Sequence, residues 1–387
     1  MRRFLGQWLV RTGAWALLAA VLAAPAPAQY VVTNLTQAVD LPGTALGVAP
    51  ATSQPPAASQ AAFDLTFGPG LQSTTDPIAV ASKAAFQQAA NVWSSLLRNP
   101  VTLNVTVDVA SFGDPRILGQ SNPTMLVGDY WEVRDPLAAV GSGPSATPRQ
   151  AALLPLLPTA AQFQARLPTG YTLGTQAYIS QANYLAVGGE HIVPSDGAIT
   201  FSTDFAWDYN PADGISAGKY DFVGAAIHEL GHMLGAMSAV DDVDYDMSHG
   251  LTGSVSPLAW DLFRFSGSDL GSRFNFTTTP RDLTPGGTQY FYYGDGTVLC
   301  STGAYNGDGY QASHWKEGLG LGIMDPAVAA GELMAITNND LILMEMLGWD
   351  VTPEPATLAF LSLGLAFLSI GRRGRAKCPR PSGPRGT

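Results

Sequence analysis

The amino-acid sequence predicts an α+β fold in two parts: an N-terminal mixed sheet carrying one central helix, then a loop-rich C-terminal subdomain. Three observations point there. A strand–helix–strand pattern opens the body of the chain. An apolar helix then carries His228-Glu-Leu-Gly-His232. Short strands and turns follow, with one helix to close. Composition agrees, because 13% of residues are charged and 46% apolar, with 42 Gly and 28 Pro among 387 residues. That balance suits a loop-rich exported protein better than a helical cytosolic one, and it supplies a substantial core.

The N-terminus, residues 1–28, reads as a signal peptide. Arg2, Arg3 and Arg11 form its basic region, residues 14–24 its apolar run, and Ala26-Pro27-Ala28 its cleavage site, so the mature chain starts near Gln29. The apolar run is too short to span a bilayer comfortably. Residues 29–60, rich in Ala, Pro, Ser, Thr and Gln, read as a disordered lead-in. Residues 62–67 read as a strand. Residues 77–97 read as an amphipathic helix, with Ala85, Phe86, Ala89, Val92, Trp93, Leu96 and Leu97 at helical spacing, stopped by Asn99-Pro100. Residues 101–109 alternate cleanly as a strand. Residues 110–146 read as irregular, 147–167 as helix broken near Pro155 and Pro158, and 177–187 as either strand or helix. Residues 198–204 read as the last strand before the central helix. They suit an ordinary interior strand as well as a sheet edge that pairs with an extended peptide.

The central helix is expected over 222–235. Phe222, Val223, Ile227, Leu230 and Leu234 give it apolar faces, Gly231 lets another element approach closely, and Gly235 suits a left-handed cap. Residues four apart on a helix share a face, so His228 and His232 aim two imidazoles at one point, with Glu229 beside them. Two imidazoles, a third ligand and an open fourth position describe a catalytic zinc site. Zinc lowers the pKa of its water to about 7, and a neighbouring carboxylate can then take the proton. With 5 His in the chain, this H-E-x-x-H spacing arises by chance roughly once in a thousand such sequences, which favours chemistry over a helix with incidental histidines.

Downstream, Asp241-Asp-Val-Asp-Tyr-Asp246 reads as a solvated acidic loop. Asp242, Asp244 and Asp246 have alternate spacing suggestive of calcium, but the glycine and bidentate glutamate of an EF-hand loop are missing, so calcium is the weaker reading. Residues 258–265, 289–293 and 297–300 read as short strands, with turns at 294–296 and 306–309. Residues 337–347 read as a helix capped by Asn338 or Asn339, and Gly348-Trp349-Asp350 closes the body. Three histidines remain for a third zinc position: His191, His249 and His314. His191 and His249 read equally as ordinary surface histidines. Asp241 is an alternative ligand, because carboxylates bind zinc well.

Charge and cysteine content narrow the classes further. Removing residues 1–28 and 353–387 takes away 9 of 20 basic residues and 1 of 31 acidic ones, leaving 11 against 30, a net of about −19. Such a surface repels nucleic acid and anionic lipid, so no nucleic-acid partner is expected. Of the two cysteines, Cys300 and Cys378, only Cys300 lies in the body, so no internal disulfide forms there. Neither precedes the central helix, so a prosegment thiol cannot plug a metal.

His228-Glu-Leu-Gly-His232 with Gly235 resembles the metzincin zinc proteases, whose short pattern is H-E-x-x-H-x-x-G-x-x-H. The last position here is Ser238, a poor zinc ligand. Leishmanolysin-like metzincins depart in the same way and take the third histidine from far downstream, shortly before a methionine turn. Ser313-His314-Trp315 and Gly322-Ile-Met324-Asp-Pro326 resemble those two parts, in the right order. The resemblance implies a zincin-like fold, with an N-terminal subdomain over 61–237 and a C-terminal one over 238–352 containing the Met-turn. It implies zinc held by His228, His232 and His314, Glu229 as general base, Met324 beneath the metal, and a protein or peptide substrate.

Pro353-Glu354-Pro355, the 15 apolar residues 356–370, and Gly371-Arg372-Arg373 resemble a PEP-CTERM sorting signal of Gram-negative bacteria. The resemblance implies that the tail, residues 353–387, is held transiently in the inner membrane and cut by an exosortase, releasing the protein to the cell surface or extracellular matrix. Fifteen residues fall below the ~20 of a comfortable transmembrane helix, though flanking arginines can snorkel. A permanent anchor is the alternative. The basic end suits the cytoplasmic side. The combined expectation is an exported zinc endopeptidase. The alternatives are a non-catalytic surface or matrix protein with a structural zinc, and a zinc amidase acting on cell-wall peptide.

Overall fold

The computed structural model describes residues 60–352 and the backbone of Leu22–Ala23 and Val39–Asp40, which pair with Ala327–Val328 and Leu126–Val127. The expected sorting tail, and most of the signal peptide and lead-in, lie outside the described residues. The fold is α+β, with a mixed sheet in the N-terminal half as the sequence predicts.

The opening follows the expected pattern. Strand β1 (Ala62–Phe67) leads into helix α1 (Pro77–Leu96), whose N-cap Asp76 accepts from the Ile78 amide, and on to strand β2 (Thr102–Ala110). Alternation in β2 buries Leu103, Val105 and Val107 on one face. The stretch expected to be irregular is more ordered. It contains β3 (Gly119–Pro123), β4 (Met125–Asp129) and α2 (Tyr130–Val140), which contains Pro136. A capping box between Asp129 and Glu132 holds the start of α2. The next helix is shorter than expected. α3 (Pro148–Leu153) passes into one 3-10 turn, Leu154–Leu156, and the chain leaves helical geometry before Pro158. The ambiguous stretch divides into strand β5 (Gln176–Ser180) and helix α4 (Gln181–Ala186), with Ser180 capping the helix by accepting from the Asn183 amide.

Strand β6 (Gly197–Ser202) completes a four-stranded sheet in the order β1-β2-β6-β3. β1, β2 and β6 run parallel, and β3 is antiparallel to β6. β6 is therefore interior, the first of the two placements its sequence left open, and not an edge for substrate. Among the described residues the edge beside it is β3. Helix α5 (Phe222–Met233) has all 12 residues buried. Phe222 meets Phe86 of α1 and Phe201 of β6 at ring distances of 5.0 and 4.7 Å, and the Trp93 indole donates to the Ile227 carbonyl at 2.9 Å.

The acidic stretch forms a helix, α6 (Val240–Ser248), which corrects the expectation of a solvated loop. Val240 and Val243 pack in a small apolar cluster with Met237, Leu258, Leu283 and Ala312, while Asp241 and Asp244 are also buried. The segment expected as a strand over 258–265 begins as a 3-10 turn, Trp260–Phe263, and becomes β7 (Arg264–Ser266). With β8 (Gln289–Tyr292) and β9 (Thr297–Cys300) it forms an antiparallel sheet. Helix α7 (Asn338–Met346) is capped by Thr337 rather than by Asn338 or Asn339: its hydroxyl accepts from the Asn339 amide at 3.2 Å. One apolar core runs from Ala61 to Val351 and spans both predicted subdomains. No helix among the described residues is long and apolar enough to cross a membrane.

Candidate metal centre

The centre is built on the last turns of α5. His228 and His232 lie one turn apart and both are fully buried, as is Glu229 between them. The helix stops where the sequence requires. The Ala236 amide donates to the Gly231 carbonyl and the Gly235 amide to the His232 carbonyl, a Schellman cap with Gly235 at φ +117°. The cap also orients a ligand, because it delivers the Ala236 carbonyl to His232 Nδ1 at 2.7 Å.

His314 arrives from 82 residues beyond His232. It follows β9 in a short bridge: the Ser301 amide donates to the His314 carbonyl and the Lys316 amide to the Leu299 carbonyl. Beside it, Trp315 is clasped by Trp260 and Phe291 at 4.9 and 5.8 Å. The three Nε2 atoms converge. His228 to His232 is 3.0 Å, and His314 lies 3.2 Å from each. Every opposite ring nitrogen faces a backbone carbonyl: His228 Nδ1 meets Ile323 O at 2.7 Å, His232 Nδ1 meets Ala236 O, and His314 Nδ1 meets Gln311 O at 3.2 Å. A carbonyl only accepts, so each Nδ1 carries the proton and each neutral ring turns a lone pair inward.

Three lone pairs at such separations repel unless a cation lies between them. Tetrahedral coordination at 2.0–2.1 Å sets donor atoms about 3.3 Å apart, close to the spacing here. The three histidines therefore fit a metal ion, and they are the group of His, Cys, Asp and Glu so arranged among the described residues. Burial holds the His228 pKa down at about 4. It holds those of His232 and His314 well below the ordinary imidazole range, with His228 adding repulsion to both and His314 to His232. Protons then compete for the His228 lone pair only as the pH falls towards about 4. The metal content of the protein should be equal after equilibration at pH 7.5 and pH 5.5, measured by atomic emission. Loss of half the metal at pH 5.5 would contradict this protonation state.

Met324 is fully buried and lies against the ligand helix: a Cβ added at Gly231 would sit 2.5 Å from its sulfur. Gly231 thus admits the methionine sulfur against the ligand helix, the close approach its position suggested. The turn carrying Met324 is fixed by Asp340, a buried residue that sequence reasoning missed. Its carboxylate accepts from the Trp315 indole at 2.8 Å, the Ile323 amide at 2.8 Å, the Met324 amide at 3.2 Å and the Thr337 amide at 2.7 Å. One side chain thereby ties the neighbour of His314 to the carbonyl that orients His228.

The other candidates are elsewhere. His191 pairs with Asp196 at 3.0 Å, and exposed His249 stacks on Tyr245 at 4.0 Å. Asp241, the alternative third ligand, is not in the group. Its oxygens accept instead from the backbone and side chain of residues 312–313. Asp242, Asp244 and Asp246 do not converge as a calcium site. Asp244 is taken up by the Tyr305 and Asn306 amides, each at 2.7 Å. No known protein family, curated protein or solved structure matches the chain.

Proposed function

We propose that this chain is an exported zinc endopeptidase of metzincin type, leishmanolysin-like in drawing its third ligand from far downstream. The observation that carries the reading is the convergence of three buried imidazole lone pairs beside Glu229. Nitrogen donors in this number favour zinc over calcium or magnesium, which take oxygen. Three protein ligands, with no fourth His, Cys, Asp or Glu in the group among the described residues, match a catalytic zinc better than a closed structural one. The mixed sheet, the ligand helix and the methionine beneath it support a zincin-like fold.

Bound zinc would supply a Lewis acid for the scissile carbonyl and would lower the pKa of its bound water to about 7. Glu229 takes the proton of the attacking water and returns it to the leaving amine. His228, His232 and His314 stay neutral donors, fixed in tautomer by Ile323, Ala236 and Gln311. The body is too acidic for nucleic acid. The leader at residues 1–28 supports export, and the Pro-Glu-Pro tail supports an exosortase as processing partner and release to the cell surface or matrix.

The test is hydrolysis of casein by the purified mature protein. Cleavage should stop on treatment with a zinc chelator and return with added zinc. Hydrolysis of peptidoglycan but not casein would make the protein a cell-wall amidase. Full zinc content without hydrolysis of casein, peptidoglycan or a peptide library would make the zinc structural.

A further inference from the structure

His314 is carried by no helix, so something must hold its segment against α5. The residues before it are gripped from two sides by buried polar side chains. Asp241, 7% exposed at the start of α6, accepts from the Ala312 amide at 2.5 Å, the Ser313 amide at 3.1 Å and the Ser313 hydroxyl at 2.5 Å. From the other side the fully buried Arg264 guanidinium donates to the Ala312 carbonyl and, at 3.1 Å, to that of Ser301. Both polar backbone groups of Ala312 are thus clamped two residues before the ligand.

The clamp is tied directly to the ligand helix. Asp241 follows His232 by only nine positions, through the Gly235 cap. Within that link the Ser238 amide donates to the Ser313 hydroxyl at 2.9 Å. The Ser238 hydroxyl donates to Asp261 at 2.6 Å, which also accepts from the Ala239 and Leu258 amides. Ser238 occupies the position where the short zinc-protease pattern has its last histidine. Here that position braces the segment that brings a histidine from elsewhere.

We infer that Asp241 is a positioning residue for the third metal ligand: its carboxylate holds Ala312 and Ser313 so that His314 meets His228 and His232. Without it, two buried amides and a hydroxyl lose their acceptor, and the segment must move to find others. The His314 nitrogen moves with it, and the metal is left on two firm donors. The inference rests on the metal-centre reading above. A merely structural carboxylate is available as a control. Asp244, one turn further along α6, accepts from the Tyr305 and Asn306 amides, upstream of the clamped pair Ala312 and Ser313.

The experiment measures zinc affinity of the full mature chain by competition with a fluorescent chelator, alongside melting of the metal-free forms. Asp241→Asn should bind zinc 10–100-fold more weakly, the usual range for a lost ligand-orienting partner. Asp244→Asn should lower the melting temperature comparably while its zinc affinity stays within about threefold of the parent. Parental affinity in Asp241→Asn, or equal losses in both variants, would overturn the inference. If Asp241→Asn does not fold, Ser313→Ala decides. It removes the hydroxyl joining Asp241 to Ser238 and should weaken zinc several-fold, whereas parental affinity would overturn the role. A parent chain that binds zinc no better than His314→Ala would refute the metal centre itself, and the inference with it. A tight parent with an unaffected Asp241→Asn refutes the inference alone.

Discussion

Glu229→Ala should leave the zinc in place and remove peptide hydrolysis. Glu229 is fully buried beside His228, yet it is not among the three converging ligands. Its loss therefore takes no donor from the metal, and zinc per chain should remain that of the parent. A positioned general base contributes about 10²–10⁴-fold, so kcat on casein should fall by about that factor with little change in KM. Glu229→Gln, which keeps the shape and loses the basicity, should be equally slow. Casein cleavage at a tenth of the parental rate or better, with full zinc, would take the base role away from Glu229.

The sequence was most legible where burial writes a period. α1 shows helical spacing from Ala85 to Leu96, β2 alternates from Leu103 to Val107, and α5 carries both its ligands and its stop signal, Gly235, within a few residues. Elements that take their shape from a distant partner were not legible. β3, Gly-Gln-Ser-Asn-Pro, has no apolar alternation and is a strand because the antiparallel side of β6 offers it hydrogen bonds. Its presence is what makes β6 interior. The aspartates of α6 look solvated in the sequence, and Asp241 and Asp244 are buried because the amides of residues 305, 306, 312 and 313 come to meet them. Asp340 is the same case, since four of its donors lie up to 25 residues upstream and only the fold assembles them. The pair His228 and His232 follows from helix geometry alone. His314 does not: no local period links it to α5, and resemblance to the leishmanolysin-like pattern singled it out before the structure brought its Nε2 within 3.2 Å of the other two.

That third histidine gives the second large effect. His314→Ala should lose zinc, with affinity falling more than the 10–100-fold expected when only an orienting partner is lost. Two donors on one helical turn remain, and Ile323 and Ala236 still orient them. The substitution spares what holds the segment itself. The Ser301 amide still has the residue-314 carbonyl, and Asp241 still has the Ala312 and Ser313 amides. The fold around β9 should therefore survive, and the loss reads on the ligand rather than on unfolding, which circular dichroism of the metal-free variant checks. His249→Ala is the matched control. That ring lies exposed on Tyr245, so its removal should leave zinc content unchanged. Equal zinc in the two variants would move the third donor to another residue, and with it the argument that a segment distant in sequence completes the centre.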